Sequence, residues 1–309
     1  MTTAPPAPST ARQPLSRWTS GGWGIKLAPY LFLLPNMVIF ALFTIYPALN
    51  GFNMSLYESN NGRTFRFVGL ENYRNILTDG EFWDVVRNTT VFALAFVVLG
   101  TLIALGAAAL VNAQKRGRTF FRAVFFIPVL MSPVVVGLIW NWMLDRQNWL
   151  VNTGLSWFGI PEVPWLVDGS WAIMAIILVG IWMQMGFYML ILLAGLQAID
   201  PALYEAARMD GANWWQLFRV ITVPLLQPSI VVVVILATIH GFQSFDFIWT
   251  LTGGGPVGAT TLMVQYIYEN GFQSPIRYGA ATAGGVLLFL TVFTLTLINW
   301  LISRRKEAV

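Results

Sequence analysis

The chain has 309 residues, 56% of them hydrophobic and only 10% charged, with a formal net charge of +4 and no cysteine. Ordinary globular domains carry about 25% charged residues, so the length is not that of two soluble domains, and the small positive charge is no sign of a nucleic-acid partner. Without cysteine there can be no disulfides and no thiolate metal site.

Residues 1–26, with Pro5, Pro6, Pro8 and Pro14 among serines and threonines, read as a disordered tail. They do not read as a cleavable signal peptide, because the apolar run that follows starts late and is too long for one. Six long apolar stretches then succeed one another at 27–49, 89–111, 123–143, 171–196, 229–251 and 278–302, uncharged except for Asp246. Each can cross a hydrocarbon layer of about 30 Å as a helix, which takes roughly 20 residues. The expectation is an all-α, polytopic membrane protein whose six transmembrane helices fill residues 27–302, ending in a short basic tail over 303–309.

The first stretch contains Pro35 and Pro47, which remove backbone donors and can kink a span. In the loop 52–87, residues 68–73 and 81–86 suit short helices at the membrane surface, with Tyr73 and Trp83 at the interface. The second stretch sets Gly100 and Gly106 among alanines, the pattern of a helix packed inside a bundle. A basic turn of Lys115, Arg116, Arg118 and Arg122 follows. Pro128 and Pro133 predict a bend in the third stretch. Trp140, Trp142, Trp149, Trp165 and Trp171 read as an aromatic belt at its far side. The fourth stretch carries Gln184. The fifth begins after Pro228 and carries His240 and Gln243, with Asp246 toward its end. Between the fifth and sixth stretches come a Gly253-Gly254-Gly255-Pro256 turn and an apolar run too short to span. Gly279, Gly284 and Gly285 open the sixth.

Charge sets the orientation. With both termini on one side, that side holds 12 Lys or Arg and four acidic residues, against six and ten on the other. Lys and Arg accumulate in short cytoplasmic loops, so both termini and residues 200–226 are placed in the cytoplasm of a multi-pass plasma-membrane protein.

Residues 200–226 are more than a connector. Asp200 suits an N-cap and Pro201 the first helical position. A helix through Met209 would put Glu205 and Arg208 three apart on one face. Gly211 can end it. Asn213 with Gln216 makes a capping box for a second short helix, which presents Trp214, Trp215, Leu217 and Phe218 and is expected to end by Pro224. This is a rigid knob with small residues for close approach and aromatic residues for buried area, suited to dock in a groove of a cytoplasmic partner.

The same segment carries a resemblance. Glu205-Ala206-Ala207, Gly211, Ile221 and Pro224 resemble the EAA loop in permease subunits of bacterial ATP-binding-cassette importers. Asp210-Gly211-Ala212 and Phe218 match the form typical of sugar importers. Val68 through Tyr73, the Leu251-Thr252-Gly253-Gly254-Gly255-Pro256 run and Tyr278-Gly279-Ala280-Ala281 resemble further signatures of that carbohydrate-uptake branch. Val223 stands where the family often has leucine. The resemblance implies a MetI-like permease fold and a multi-subunit machine. Its parts would be a second homologous permease, two ATPase subunits receiving the knobs, and an extracytoplasmic substrate-binding protein that delivers a sugar, all in a lipid bilayer. It implies ATPase contact by Glu205, Ala206, Ala207, Asp210, Gly211, Trp214 and Phe218. ATP and magnesium would bind in the partner subunits, for this chain has no phosphate-cradling loop.

Gln184, His240 and Gln243, with the aromatic faces of Trp182 and Tyr188, are the candidates to line a sugar path, since polar side chains in a span face a cavity or another helix. The other reading of these residues is a satisfied interhelical hydrogen bond. No constellation of nucleophile, base or paired carboxylates is present, so no enzyme activity, metal or bound cofactor is expected. Two other functions stay open: the same machine importing glycerol 3-phosphate, glycerophosphodiesters or a polyol, and, more distantly, an ion-coupled secondary transporter.

Overall fold

The computed structural model describes residues 23–307, apart from 115 and 147–149. The chain divides into two compact units, residues 1–50 and 51–309. The first is helical. It holds α1 (Trp23–Phe40), a π-helical turn (Ala41–Ile45) and the start of α2 (Tyr46–Met54). Every residue from Pro29 to Asn50 is exposed. The widened turn includes Phe43, the residue whose carbonyl would have received the N–H that Pro47 lacks. The tail expected over 1–26 lies outside the described residues as far as residue 22, and α1 is already helical at Trp23.

The second unit opens with a small antiparallel hairpin, β1 (Tyr57–Glu58) and β2 (Arg66–Phe67), in which Tyr57 faces Phe67. After α3 (Glu71–Thr78) comes α4 (Gly80–Ala113). Residues 81–86 are not a separate surface helix. They are the first turns of α4, because the Asp79 carboxylate accepts the Glu81 N–H at 3.0 Å and starts the helix there. At 34 residues α4 is about 51 Å long, so it extends well beyond a 30 Å core.

The third apolar stretch is bent, as Pro128 and Pro133 predict. It consists of α5 (Arg118–Phe126), a single 3₁₀ turn (Ile127–Leu130) and α6 (Pro133–Leu144), bent by 95°. Met131 and Ser132 are extended between two prolines that cannot donate to the helix. The short α7 (Leu150–Ser156) leads to α8 (Gly169–Gln197), α9 (Pro201–Met209) and α10 (Trp214–Gln216). A second π-helical segment (Leu217–Thr222) then passes into α11 (Val223–Gln243). The helix expected to stop by Pro224 therefore runs on, and Trp214–Gln243 is one long apolar rod. The widened turn again covers the i−4 position of the proline, here Val220, and so absorbs the missing bond.

The fifth stretch also departs from expectation. Its helix ends at Gln243 rather than near residue 251. Ser244 is extended and donates its hydroxyl to the His240 carbonyl at 2.7 Å, and the chain restarts as α12 (Asp246–Leu251). That helix packs on α6, where a Cβ on Gly137 would stand 2.5 Å from the Phe247 carbonyl. The chain closes with α13 (Met263–Phe272) and α14 (Tyr278–Glu307), so residues 303–307 continue the last helix. Among the described residues five helices are long and apolar enough to span a membrane, and six if the bent pair counts as one.

The core lies between α4, α8 and α11. Phe92, Phe96, Ala104 and Ala108 meet Ile176, Leu192, Val233 and Ala237, all fully buried. Small residues permit the approach: a Cβ on Gly241 of α11 would lie 3.2 Å from the Ala93 Cα of α4. Most long apolar side chains on the outer faces of α4 and α14 are exposed, among them Leu94, Val98, Leu102, Phe289 and Phe293, as suits helices whose solvent is lipid or another subunit.

Candidate functional site: a hairpin and a polar path

The hairpin between α8 and α11 is built as its residues predict. The Asp200 carboxylate accepts the Ala202 N–H at 2.9 Å, and Pro201 sits where no donor is needed. Gly211 takes φ +83°, and an added Cβ would meet nothing within 4 Å. Glycine is required there by the left-handed backbone rather than by space. The Ala212 N–H returns to the Ala207 carbonyl at 3.0 Å and closes the helix end. Asn213 and Gln216 exchange both bonds of a capping box, at 2.8 and 3.0 Å.

The aromatic face stands out from this frame. Trp214 is 72% exposed and Trp215 58%. Phe218 stacks on both rings, with centroids 5.7 Å from Trp214 and 6.0 Å from Trp215. Glu205, Ala206, Asp210 and Gly211 are exposed and Ala207 is half-buried. Glu205 and Arg208 share a face, yet neither is in an ion pair among the described residues. Both line a cleft of about 550 Å³ with Tyr204, Trp214 and Arg118. Arg118 donates to the Asn112 carbonyl at 2.6 Å, while its buried Nε has no hydrogen-bond partner among the described residues. Lys115, part of the same basic turn, lies outside the described residues, as does Trp149.

Residues 97–307 match the family described as the binding-protein-dependent transport system inner membrane component. The chain belongs to that family. It is 37% identical over 279 residues to the trehalose/maltose transport system permease protein MalF of Thermococcus litoralis, covering 90% of this chain and 94% of the relative. It is 31% identical over 273 residues to the sn-glycerol-3-phosphate transport system permease protein UgpA of Agrobacterium fabrum, covering 88% and 92%. A chain in the crystal structure of a bacterial ABC transporter involved in the import of the acidic polysaccharide alginate superposes with a TM-score of 0.79 at 27% identity, covering 91% of this chain and 96% of that one. The chain is thus a polytopic permease subunit of a carbohydrate-uptake importer.

The five path candidates do not form a single surface. Tyr188 is fully buried, and its hydroxyl lies 2.9 Å from His240 Nδ1, tying α8 to α11. Phe96 meets Tyr188 edge-on at 6.2 Å. Gln184, one turn before Tyr188 on the same face of α8, is half-buried and makes no hydrogen bond among the described residues. Gln243, one turn after His240 on α11, is exposed. Trp182 points away from that face and packs edge-on against Trp140 of α6 at 5.6 Å.

Beyond Gln243 the helix break brings together a group that sequence periodicity did not show. Phe245 lies 5.2 Å from Tyr268 and 5.9 Å from Trp249, and Tyr268 stacks on Phe272 at 5.4 Å. Asp246 is exposed beside them. Without glycine or proline at Ser244-Phe245, the stretch read as one continuous span. The only available signal was a serine placed to bond the carbonyl four residues back.

Proposed function

We infer that this chain is the membrane-spanning subunit of an ATP-driven importer that passes a sugar from an extracytoplasmic binding protein to the cytoplasm by alternating access. The observation that carries this reading is the rigid hairpin on a family scaffold, with bare tryptophans and an unpaired Glu205 held outside the bundle. Such a surface has a reason to exist if another subunit covers it. We assign Glu205, Ala206, Ala207, Asp210, Gly211, Trp214 and Phe218 to contact with an ATPase subunit. The machine then comprises a second permease, two ATPase subunits that hold ATP and magnesium, and the binding protein. The fold is read as the six-span, MetI-like permease with both termini in the cytoplasm.

Gln184, His240 and Gln243 are assigned to the path. Tyr188 fixes the His240 ring, and Trp182 supports α8 from behind. Amide, imidazole and aromatic groups suit a neutral, hydroxyl-rich solute, which hydrogen-bonds without needing a counter-charge. MalF is a trehalose/maltose permease, and its likeness supports a sugar. UgpA, a permease for sn-glycerol 3-phosphate, supports the second reading, but a phosphate would call for cations that this set of residues lacks.

The deciding experiment is to purify the assembled complex and measure ATP hydrolysis with the binding protein across a panel of mono-, di- and oligosaccharides and glycerol 3-phosphate. Stimulation by a sugar is expected. Stimulation by glycerol 3-phosphate alone would replace the sugar reading. Solute uptake by the isolated chain, driven by an ion gradient, would end both.

A further inference from the structure

The hairpin meets the span through one unusual element. α9 packs chiefly on the π-helical segment Leu217–Thr222. Within it Thr222 is buried and its hydroxyl donates to the Leu217 carbonyl at 3.3 Å, five residues back. Thr222 has one hydroxyl hydrogen to give. The Tyr204 hydroxyl of α9 lies 3.0 Å from Thr222 Oγ1, and either oxygen can donate; with Tyr204 as donor, Thr222 keeps its hydrogen for Leu217. The contacts run from Tyr204 through Thr222 to Leu217 and tie a side chain of the hairpin across the widened turn. π-helical turns are rare and occur mostly as single turns at functional sites.

We propose that Tyr204 and Thr222 form a clasp that makes the hairpin and α11 move as one lever. They are positioning residues, and the proposal rests on the coupling role given to the hairpin above. Beside α9 lies the cleft of about 550 Å³ lined by Tyr204, Glu205, Arg208, Trp214 and Arg118. Without a tie across the π turn, a pushed hairpin would rock into that space and the push would be lost. With the tie, the displacement enters α11, whose other end, Gln243, lies about 32 Å away along the same rod. His240 and Gln243 ride on that end.

The test uses the lack of cysteine, so that a thiol placed at Gln243 is the only one in the chain. In the assembled complex in lipid nanodiscs, Gln243→Cys is labelled by a membrane-impermeant maleimide, with no nucleotide and after trapping with ATP and vanadate. The labelling rate is expected to change between the two states. With Tyr204→Phe or Thr222→Val added, the complex should still assemble and hydrolyse ATP, but most of that change should vanish. Thr222→Ser, which keeps the hydroxyl, should retain it. The double variant should be no worse than either single variant, since both break the same chain of bonds.

A full nucleotide-dependent change in Tyr204→Phe overturns the clasp, as do losses that multiply in the double variant. If Tyr204→Phe fails to assemble, Tyr204 belongs to the docking surface and the clasp is again wrong. If Gln243→Cys with the clasp intact assembles normally but shows no change, the coupling role itself fails and the clasp falls with it.

Discussion

Trp214→Ala tests the docking assignment most directly. A tryptophan side chain buries up to about 250 Å² when covered. Trp214 is 72% exposed, so a partner that covers it removes up to about 180 Å² from water. At about 25 cal/mol per Å² this is worth up to about 4.5 kcal/mol. Interface tryptophans that act as anchors lose about 2 kcal/mol or more on truncation. The ATPase affinity of the solubilised permease pair is therefore expected to fall by a factor between about 30 and about 2,000. The assay is titration of fluorescently labelled ATPase subunit in detergent, read as a dissociation constant. Trp157→Ala is the matched control. It removes a tryptophan that is 82% exposed, in the segment after α7 and far along the chain from the hairpin, and should leave the constant unchanged. Equal constants for Trp214→Ala and the parent protein would refute the reasoning. So would equal losses from Trp157→Ala, since exposed aromatic area would then be acting through the detergent rather than through docking.

Glu205→Gln keeps the shape of the hairpin and removes the charge. A hydrogen bond to a charged group contributes about 1.5–3 kcal/mol, so ATP hydrolysis stimulated by the binding protein should fall by about tenfold or more while thermal stability stays level. Unchanged stimulation would remove Glu205 from the contact. Gly211→Ala meets no atoms but forces alanine into φ +83°, at a cost of about 1–2 kcal/mol. Hydrogen exchange over residues 205–216 should accelerate, with Gly211→Asn milder. Gly186→Ala places a Cβ 2.7 Å from the Phe125 carbonyl carbon and 3.0 Å from the Phe126 Cα. Backbone cannot rotate aside, so a loss of about 1–3 kcal/mol is expected, visible as a lower Tm. Gly106→Ala, with nothing within 4 Å of the added Cβ, should be neutral or slightly stabilising, and a fall equal to that of Gly186→Ala would show that helix glycines matter here for another reason.

Much of the hairpin was legible before any coordinates. Asp200, Pro201, Gly211, Asn213 and Gln216 act within five residues of their partners, through caps and a left-handed turn that depend on local backbone alone. The polar path was less legible. The sequence singled out Gln184, His240, Gln243, Trp182 and Tyr188 and left an interhelical hydrogen bond as the other reading; it did not show that His240 would find Tyr188 or that Trp182 would turn toward Trp140.

By itself the sequence determined that the chain lives in a bilayer, how many apolar stretches it has, and the local form of the knob. These follow from hydrophobic run length, charge and short-range hydrogen bonding, all of which act along the chain. Pro128 and Pro133 announced a bend in the third stretch, but only the tertiary structure decided its size, 95°. It alone also decided the stop at Gln243 and the continuation through Pro224, where a neighbour or a widened turn accommodates an interrupted hydrogen-bond ladder. The Tyr204–Thr222 contact crosses 18 residues, and no local propensity reports a bond that exists only once two helices have met.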